Sequence, residues 1–390
     1  MKALKIILLL FVVSRLIIFG FLSIGQPDQT HYVDNQLQLD NPILDHFILY
    51  DSYNYAQIAV EGYTEDRLTA FFPLYPLIVR GVTSVTAIDV YWAGFLLSNF
   101  FFISSLWLLY TLMEKRGLGA RVRFLTLSAL VFFPSSYFFS AFYTESFFLF
   151  LALSAFRFWD NEKRGAAYFI GGLAALSRIV GVWVPLAFFV ERLIRRKLDV
   201  KDFVFALMSS LMFFSYPVYL WLTKGEPLLF LKVMAPDYGR YSTIPFYPIY
   251  QDIITSVETS RIEPIIILHI LLLVIFITYL VSTIRLQQSG VTIVWSEVIY
   301  TFGLILMPLS SILIQPIHIA SHGFMRYFLT VFPLFIFIGM HLDQLLKRSN
   351  RNSSHSSFIV WKSVGYTTLF IWISFTLYIF LALRFKGFVA

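Results

Sequence analysis

The run "PIIILHILLLVIFITYLVSTI" at 264–284 carries no charged side chain, and it is one of many. About 20 apolar residues in a helix suffice to cross a hydrocarbon core of ~30 Å. Inside that core every backbone N–H and C=O must find a partner within the protein, which a helix provides on its own. Further runs lie at about 6–24, 91–113, 122–140, 143–159, 166–194, 203–223, 296–316, 324–344 and 358–383. Only 14% of the 390 residues are charged, against about 25% in soluble domains, so a water-facing shell cannot be built. The expected fold is an all-α polytopic membrane protein that lies in the lipid bilayer as a single domain, 1–390.

The basic residues then set the topology. They gather as Lys2/Lys5, "EKRGLGARVR" at 114–123, "NEKRG" at 161–165, "ERLIRRK" at 191–197 and "LLKRSNR" at 345–351, with a weaker group at Arg285. Short basic clusters between apolar runs follow the positive-inside pattern, so the net charge of +7 does not point to nucleic acid. An even number of crossings must separate clusters on the same side. That requires "FFPLYPLIVRGVTSVTAI" at 71–88, with two prolines and an arginine, to lie at the interface rather than span. It also requires 166–194 to hold two short helices broken near "SRIVG" (177–181), a single long helix being the alternative. About eleven spans result. The first, "MKALKIILLLFVVSRLIIFGFLS", is read as a retained helix, because its apolar region is too long for a signal peptide and no A-x-A site follows. The N-terminus is cytoplasmic, and 25–90 and 224–262 are long external loops. The basic tail with Arg384 and Lys386 falls outside, against the pattern. The absence of cysteine excludes disulfides and thiolate metal sites.

The polar residues left over converge on the external side. Residues 25–70 hold Asp28, Asp34, Asp40, Asp45, Asp51, Glu61, Glu65 and Asp66 against Arg67 alone. Topology permits acidic external loops, and Asp28, Asp34 and Asp66 are read that way. Asp45 and Asp51 differ, because Phe47, Tyr50, Tyr53 and Tyr55 could lay one helix face on the membrane surface. Glu145 falls at the external start of the fourth span and Arg178 at the external break. His318, His322 and Arg326 in "PIHIASHGFMRY" fall at the external entry to the tenth. A charge at such depth costs about 2.5–3.5 kcal/mol on insertion scales, so a partner or a function retains it. For any single one, an ion pair such as Glu145–Arg178 is as good a reading as catalysis; for all of them to share one face by chance is less so.

Acids from a loop beside cations at helix ends suit one chemistry. A carboxylate can take the proton of an acceptor hydroxyl, while cations stabilise the charge developing on a phosphate leaving group. Such a leaving group needs no general acid, unlike the carboxylate pair of glycoside hydrolysis. A lipid-borne phosphate could enter sideways from the bilayer. A soluble nucleotide sugar would find no Gly-rich phosphate loop here.

Five stretches carry a resemblance: "YDSYNYAQIAVEGY" (50–63), "AFFPLYPLIVR" (70–80), "FFPSSYFFSAFYTESFF" (132–148), "AALSRIVG" (174–181) and "RYFLTVFP" (326–333). Together they resemble the PIG-V (GPI mannosyltransferase II) family of GT-C glycosyltransferases, as a prokaryotic member. The resemblance implies a GT-C fold with interfacial helices in the first external loop, and an inverting hexosyltransferase. Its implied donor is a polyprenyl-phosphate sugar, dolichyl-phosphate mannose in eukaryotic members. Asp51 matches the aspartate of the family's Trp-Asp pair, with Tyr50 in the tryptophan's place, and is the implied catalytic base. Tyr50, Glu145, Arg178, His322, Arg326 and Tyr327 are the implied substrate-binding residues; Asp45, on which no family motif falls, is expected to join them from its place in the loop. The first loop has no Asp-x-Asp, so no obligatory metal and no cofactor is expected. The acceptor would be a glycolipid, a glycan or a protein, and the compartment a bacterial plasma membrane. The alternative class is a transporter or flippase of lipids or lipid-linked saccharides. Such proteins place polar residues near the midplane between repeated halves; here no repeat is visible.

Overall fold

The computed structural model of the chain describes residues 2–24, 39, 41–260, 264–289, 293–314, 319–321 and 323–351. Asp28, Asp34, Asp40, His318, His322, the run at 358–383 and the basic tail lie outside them. The order begins α1 (Lys2–Ile24), α2 (Leu44–Phe47), α3 (Asp51–Glu61), α4 (Leu74–Thr86), α5 (Val90–Lys115), α6 (Ala120–Val131), α7 (Glu145–Trp159), α8 (Arg164–Ser177), α9 (Trp183–Ile194) and α10 (Val200–Lys224). It continues with α11 (Leu229–Lys232), α12 (Met234–Tyr238), β1 (Arg240–Ser242), α13 (Tyr247–Glu258), α14 (Pro264–Gln288), α15 (Trp295–Leu309), β2 (Ser311–Leu313), α16 (Phe324–Phe328) and α17 (Phe332–Arg351). Among the described residues, α1, α5, α10 and α14 are long and apolar enough to cross a membrane, and α15 is a shorter apolar helix.

The run at 166–194 is two helices, as parity required. A 3₁₀ turn, Ile179–Val182, separates α8 from α9. A Cβ on Gly181 would lie 2.1 Å from the Ala174 carbonyl oxygen, so only glycine lets the chain fold back this tightly on α8. The segment 71–88 yields the 13-residue α4, too short to span.

Three expected spans are interrupted. The run at 122–140 is helical only to Val131, after which Pro134 and a 3₁₀ turn at Ser136–Phe139 carry the chain irregularly to Glu145. This stretch is almost wholly buried, a setting in which non-helical backbone is tolerated at membrane depth. Arg15 of α1 satisfies its acceptors: Nη1 donates to the Ser136 carbonyl (2.8 Å) and Ser140 Oγ (2.9 Å), and Nη2 to the Val131 carbonyl (3.2 Å). Its guanidinium also lies 5.1 Å from the centre of the Phe102 ring. The run at 296–316 ends its helix one residue past Pro308 and continues into β2, which pairs antiparallel with β1 (Arg240↔Leu313, Ser242↔Ser311). The run at 324–344 begins as α16, breaks, and resumes as α17.

The bundle has two chemically different ends. At one, Arg116 pairs with Asp160 (3.0 Å) and with Glu297, while Arg164 (2.7 Å) and Arg192 (3.0 Å) share the buried Asp202. The loops at 114–123, 161–165 and 191–202 meet there. Helices α7 and α8 run between that end and a second polar cluster formed by α3, the start of α7, the break at Arg178 and α16. Between the two ends the core is aromatic. Phe156 packs edge-on against Phe188 (5.0 Å between centroids), Tyr300 (5.3 Å) and Phe332 (5.1 Å), joining α7, α9, α15 and α17. Edge-to-face geometry sets the positive ring edge against a negative face.

Candidate active site

The second cluster is assembled from four separate segments. Asp51 and Glu145 are the first residues of α3 and α7, where the positive end of the helix dipole favours a carboxylate. Arg178 lies in extended conformation at the α8 break, and Arg326 lies in α16.

Glu145 is fully buried, and its Oε1 accepts from both Arg178 Nη1 and Arg326 Nε. Arg326 Nη1 also donates to Asp51 Oδ2 at 2.6 Å. Arg178 Nη1 further reaches Thr144 Oγ1 at 3.2 Å, and that hydroxyl lies 3.3 Å from the Tyr55 hydroxyl. The guanidiniums stack on rings: Arg326 lies 4.5 Å from the centre of Tyr143, and Arg178 lies 5.4 Å from that of Tyr327. Two cations thus face two carboxylates, and each guanidinium keeps donors in reserve. Among the described residues Arg326 Nη2, and Arg178 Nε and Nη2, make no hydrogen bond, and Asp51 Oδ1 accepts none. The Asp51 side chain is 22% exposed, whereas that of Glu145 is 0% exposed.

Tyr50 sets the position of Asp51. Its φ of 51° falls on the left-handed side that costs a non-glycine residue of order 1–3 kcal/mol. Tyr143 braces this turn, since its hydroxyl accepts from Asp51 N–H (3.2 Å) and donates to the Leu49 carbonyl (3.2 Å).

Of the residues expected from sequence, Asp51, Glu145, Arg178, Arg326 and Tyr327 meet in this cluster, with Tyr50 adjoining it. Asp45 does not join them: its two oxygens accept from Leu39 N–H (2.9 Å) and Asn41 N–H (3.1 Å), which ties the chain leading into α2. The expectation that Tyr50, Tyr53 and Tyr55 anchor α3 at the membrane surface fails for Tyr55. It is buried against Phe71 (5.0 Å) and Phe142 (6.2 Å), so α3 forms a wall of the site.

Sequence reasoning missed Tyr143, Thr144 and Arg240. The first two adjoin Glu145 in "AFYTES", where their type alone gave no signal. Arg240 comes from β1 and packs on Gly323, at which a Cβ would lie 3.0 Å from Arg240 Nη2. Gly323 has φ 92° and begins the turn into α16, so this third arginine borders the cluster.

The cluster lies part-way along α5: Ser98 donates to the carbonyl of Tyr143 (3.5 Å) and Ser105 to that of Ser146, beside Glu145 (3.4 Å). Helix α5 therefore extends about 8–15 residues, or about 12–22 Å, beyond the cluster toward its N-terminus.

The architecture is that of a mostly helical, polytopic membrane protein with the GT-C fold, the short β1–β2 pair being an addition to the all-α expectation. No protein-family model and no curated protein matches the sequence. Among solved structures, the chain is similar to ArnT from Cupriavidus metallidurans bound to undecaprenyl phosphate, with a TM-score of 0.52 and 14% identity. The match covers 96% of this chain and 76% of that one; at this identity the likeness is one of fold.

Proposed function

We propose that the protein is a membrane glycosyltransferase that moves a sugar, a mannosyl or other hexosyl group, from a polyprenyl-phosphate donor to an acceptor hydroxyl. The observation that carries this reading is the pairing of an open carboxylate oxygen, Asp51 Oδ1, with unspent guanidinium donors on Arg178 and Arg326. Asp51 takes the acceptor's proton as the acceptor oxygen bonds to the anomeric carbon. The bond from that carbon to the phosphate oxygen breaks, and the electron pair leaves with polyprenyl phosphate. Attack opposite the departing phosphate inverts the anomeric centre. Arg178 and Arg326 hold the phosphate and stabilise its growing charge. Glu145 holds both arginines through one oxygen. Tyr50, Tyr327 and, from the resemblance to the PIG-V family, His322 would complete the substrate site.

The GT-C fold, and a solved structure of that fold with undecaprenyl phosphate bound, support a lipid-borne donor. The site would open to the extracytoplasmic side of a cell membrane, opposite the basic loops. Its acceptor would be a glycolipid, a glycan or a protein.

The depth of the cluster against α5 favours a second reading, a lipid-linked saccharide transporter, since transporters bind near the midplane. One experiment separates the two. Purified protein is incubated with a panel of polyprenyl-phosphate sugars and acceptors, and release of free polyprenyl phosphate is measured. A transferase releases it in step with product. Movement of intact donor across proteoliposomes, without release, would establish the transporter.

A further inference from the structure

A second buried polar network lies outside this cluster. The Asp252 carboxylate of α13 accepts from Ala320 N–H (2.5 Å), from Ser321 N–H (3.1 Å) and from the Ser321 hydroxyl. Having given its proton to Asp252, Ser321 Oγ must accept from the ring of His269 in α14, 2.6 Å away, so Nδ1 carries the hydrogen. Asp252, His269 and Ser321 are each 1–2% exposed. The serine sits between acid and imidazole, and none of the three is open to a substrate, so this is a tie and not a nucleophilic triad.

What it ties is the approach to Arg326. The Ser321 carbonyl accepts from Phe324 N–H at 3.1 Å, opening α16, and the His269 ring meets Phe324 edge-on at 5.4 Å. Helix α16 has five residues, and helices shorter than about 12–15 residues do not hold their shape unaided. Yet Arg326 must reach carboxylates on α3 and α7 at once. On its other side α16 is held by Ser135, whose hydroxyl donates to the Met325 carbonyl at 3.1 Å. Helix α13 is itself fastened to the end of α15 by Phe246 N–H donating to the Leu309 carbonyl at 2.9 Å.

We propose that Asp252, Ser321 and His269 are positioning residues: they fix the turn ahead of α16 so that Arg326 meets Asp51 and Glu145 together, and so set the affinity for the donor phosphate. The inference rests on the donor role proposed for Arg326. It also makes the second external loop, through α13, part of the donor site's scaffold. Misplacing a binding group by about 1 Å can cost roughly 100-fold, so small losses in this network become visible at Arg326.

The test uses the purified full-length protein and two readouts. In the ligand-free protein, hydrogen exchange is followed over peptides spanning 323–331; Ser321→Ala and His269→Leu should accelerate it there and leave α5 and α7 unchanged. His269→Asn, whose amide nitrogen can replace Nδ1–H, should restore parental exchange. For binding, undecaprenyl phosphate is titrated: Ser321→Ala should weaken it by roughly 10–100-fold, and Ser321→Ala with Arg326→Ala should bind no worse than Arg326→Ala alone, because coupled residues are not additive. Unchanged exchange over 323–331 in Ser321→Ala, or fully multiplied losses in the double variant, would overturn the proposal. Should the parental protein bind no polyprenyl phosphate, the donor reading fails, while the exchange experiment still decides whether this network positions Arg326.

Discussion

Arg326 and Asp51 stand 275 residues apart in sequence and 2.6 Å apart in the fold, joined through Nη1 and Oδ2. Among the described residues the contact leaves Oδ1 of the carboxylate and Nη2 of the guanidinium available. One ion pair thus places a proton acceptor next to an anion-binding edge.

If Asp51 is the general base, Asp51→Asn keeps an acceptor for Arg326 but cannot take a proton. General-base catalysis contributes typically 10²–10⁴-fold, and kcat should fall on about that scale with little change in the KM for donor. Both constants are measured with purified variants and polyprenyl-phosphate sugar. A near-parental kcat with a raised KM for acceptor would reassign Asp51 to binding. Asp45→Asn should be milder, since its oxygens are occupied by Leu39 and Asn41 N–H.

Arg326 touches Glu145 through Nε and Asp51 through Nη1, using two positions of a rigid plane. Lysine offers a charge without that plane. Arg326→Ala and Arg178→Ala should raise the KM for donor in protein that still folds, and the lysine variants should recover only part. Lost expression with unchanged turnover in the surviving protein would mean a purely structural role.

Glu145 is the sole carboxylate contact of Arg178 among the described residues. Removing one partner of a buried ion pair costs roughly 3–5 kcal/mol, so Glu145→Ala should lower the thermal midpoint sharply. Glu145→Gln keeps an acceptor and should fold better while binding donor poorly. Thermal unfolding in detergent, paired with donor titration, distinguishes stability from binding.

At the other end, the buried carboxylate of Asp202 accepts from Arg164 Nη1, Arg192 Nε and Asp199 N–H. Asp202→Ala leaves Arg164 and Arg192 with the more exposed Asp199 alone and should destabilise the protein, by less than the roughly 3–5 kcal/mol of a buried charge left with no partner. Turnover per folded molecule should not change, because the site lies a helix length away. A loss of turnover at parental stability would contradict the separation of the two ends.

Sidedness is tested by labelling. The chain has no native cysteine, and Ser242 and Arg196 are both exposed. Cysteine at 242 should react with an impermeant thiol reagent added to intact cells, and cysteine at 196 should not. Labelling at 196 from outside would reverse the orientation and remove the basis for an extracytoplasmic site.

Apolar runs, basic clusters and costly charges are enough to read the helical membrane architecture and the candidate site's main charges, and they favour a break at "SRIVG". Each follows from cost: apolar runs exclude a water-facing shell, and Glu145, Arg178 and Arg326 are too expensive in apolar surroundings to be idle. Where the helices stop and what the charges touch depend instead on how distant segments meet. The run through 122–140 is apolar whether it is helix or buried turn, because hydrophobicity reports burial and not conformation. Its carbonyls leave the helix with donors from the Ser136 hydroxyl and from Arg15, more than a hundred residues earlier. Likewise Asp45 and Asp51 look alike in the sequence, and a backbone turn claims one while Arg326 claims the other. Pairings across 68 to 275 residues, such as Asp252 with Ala320 and Asp51 with Arg326, are set by how the bundle closes, and no local pattern of residues records that.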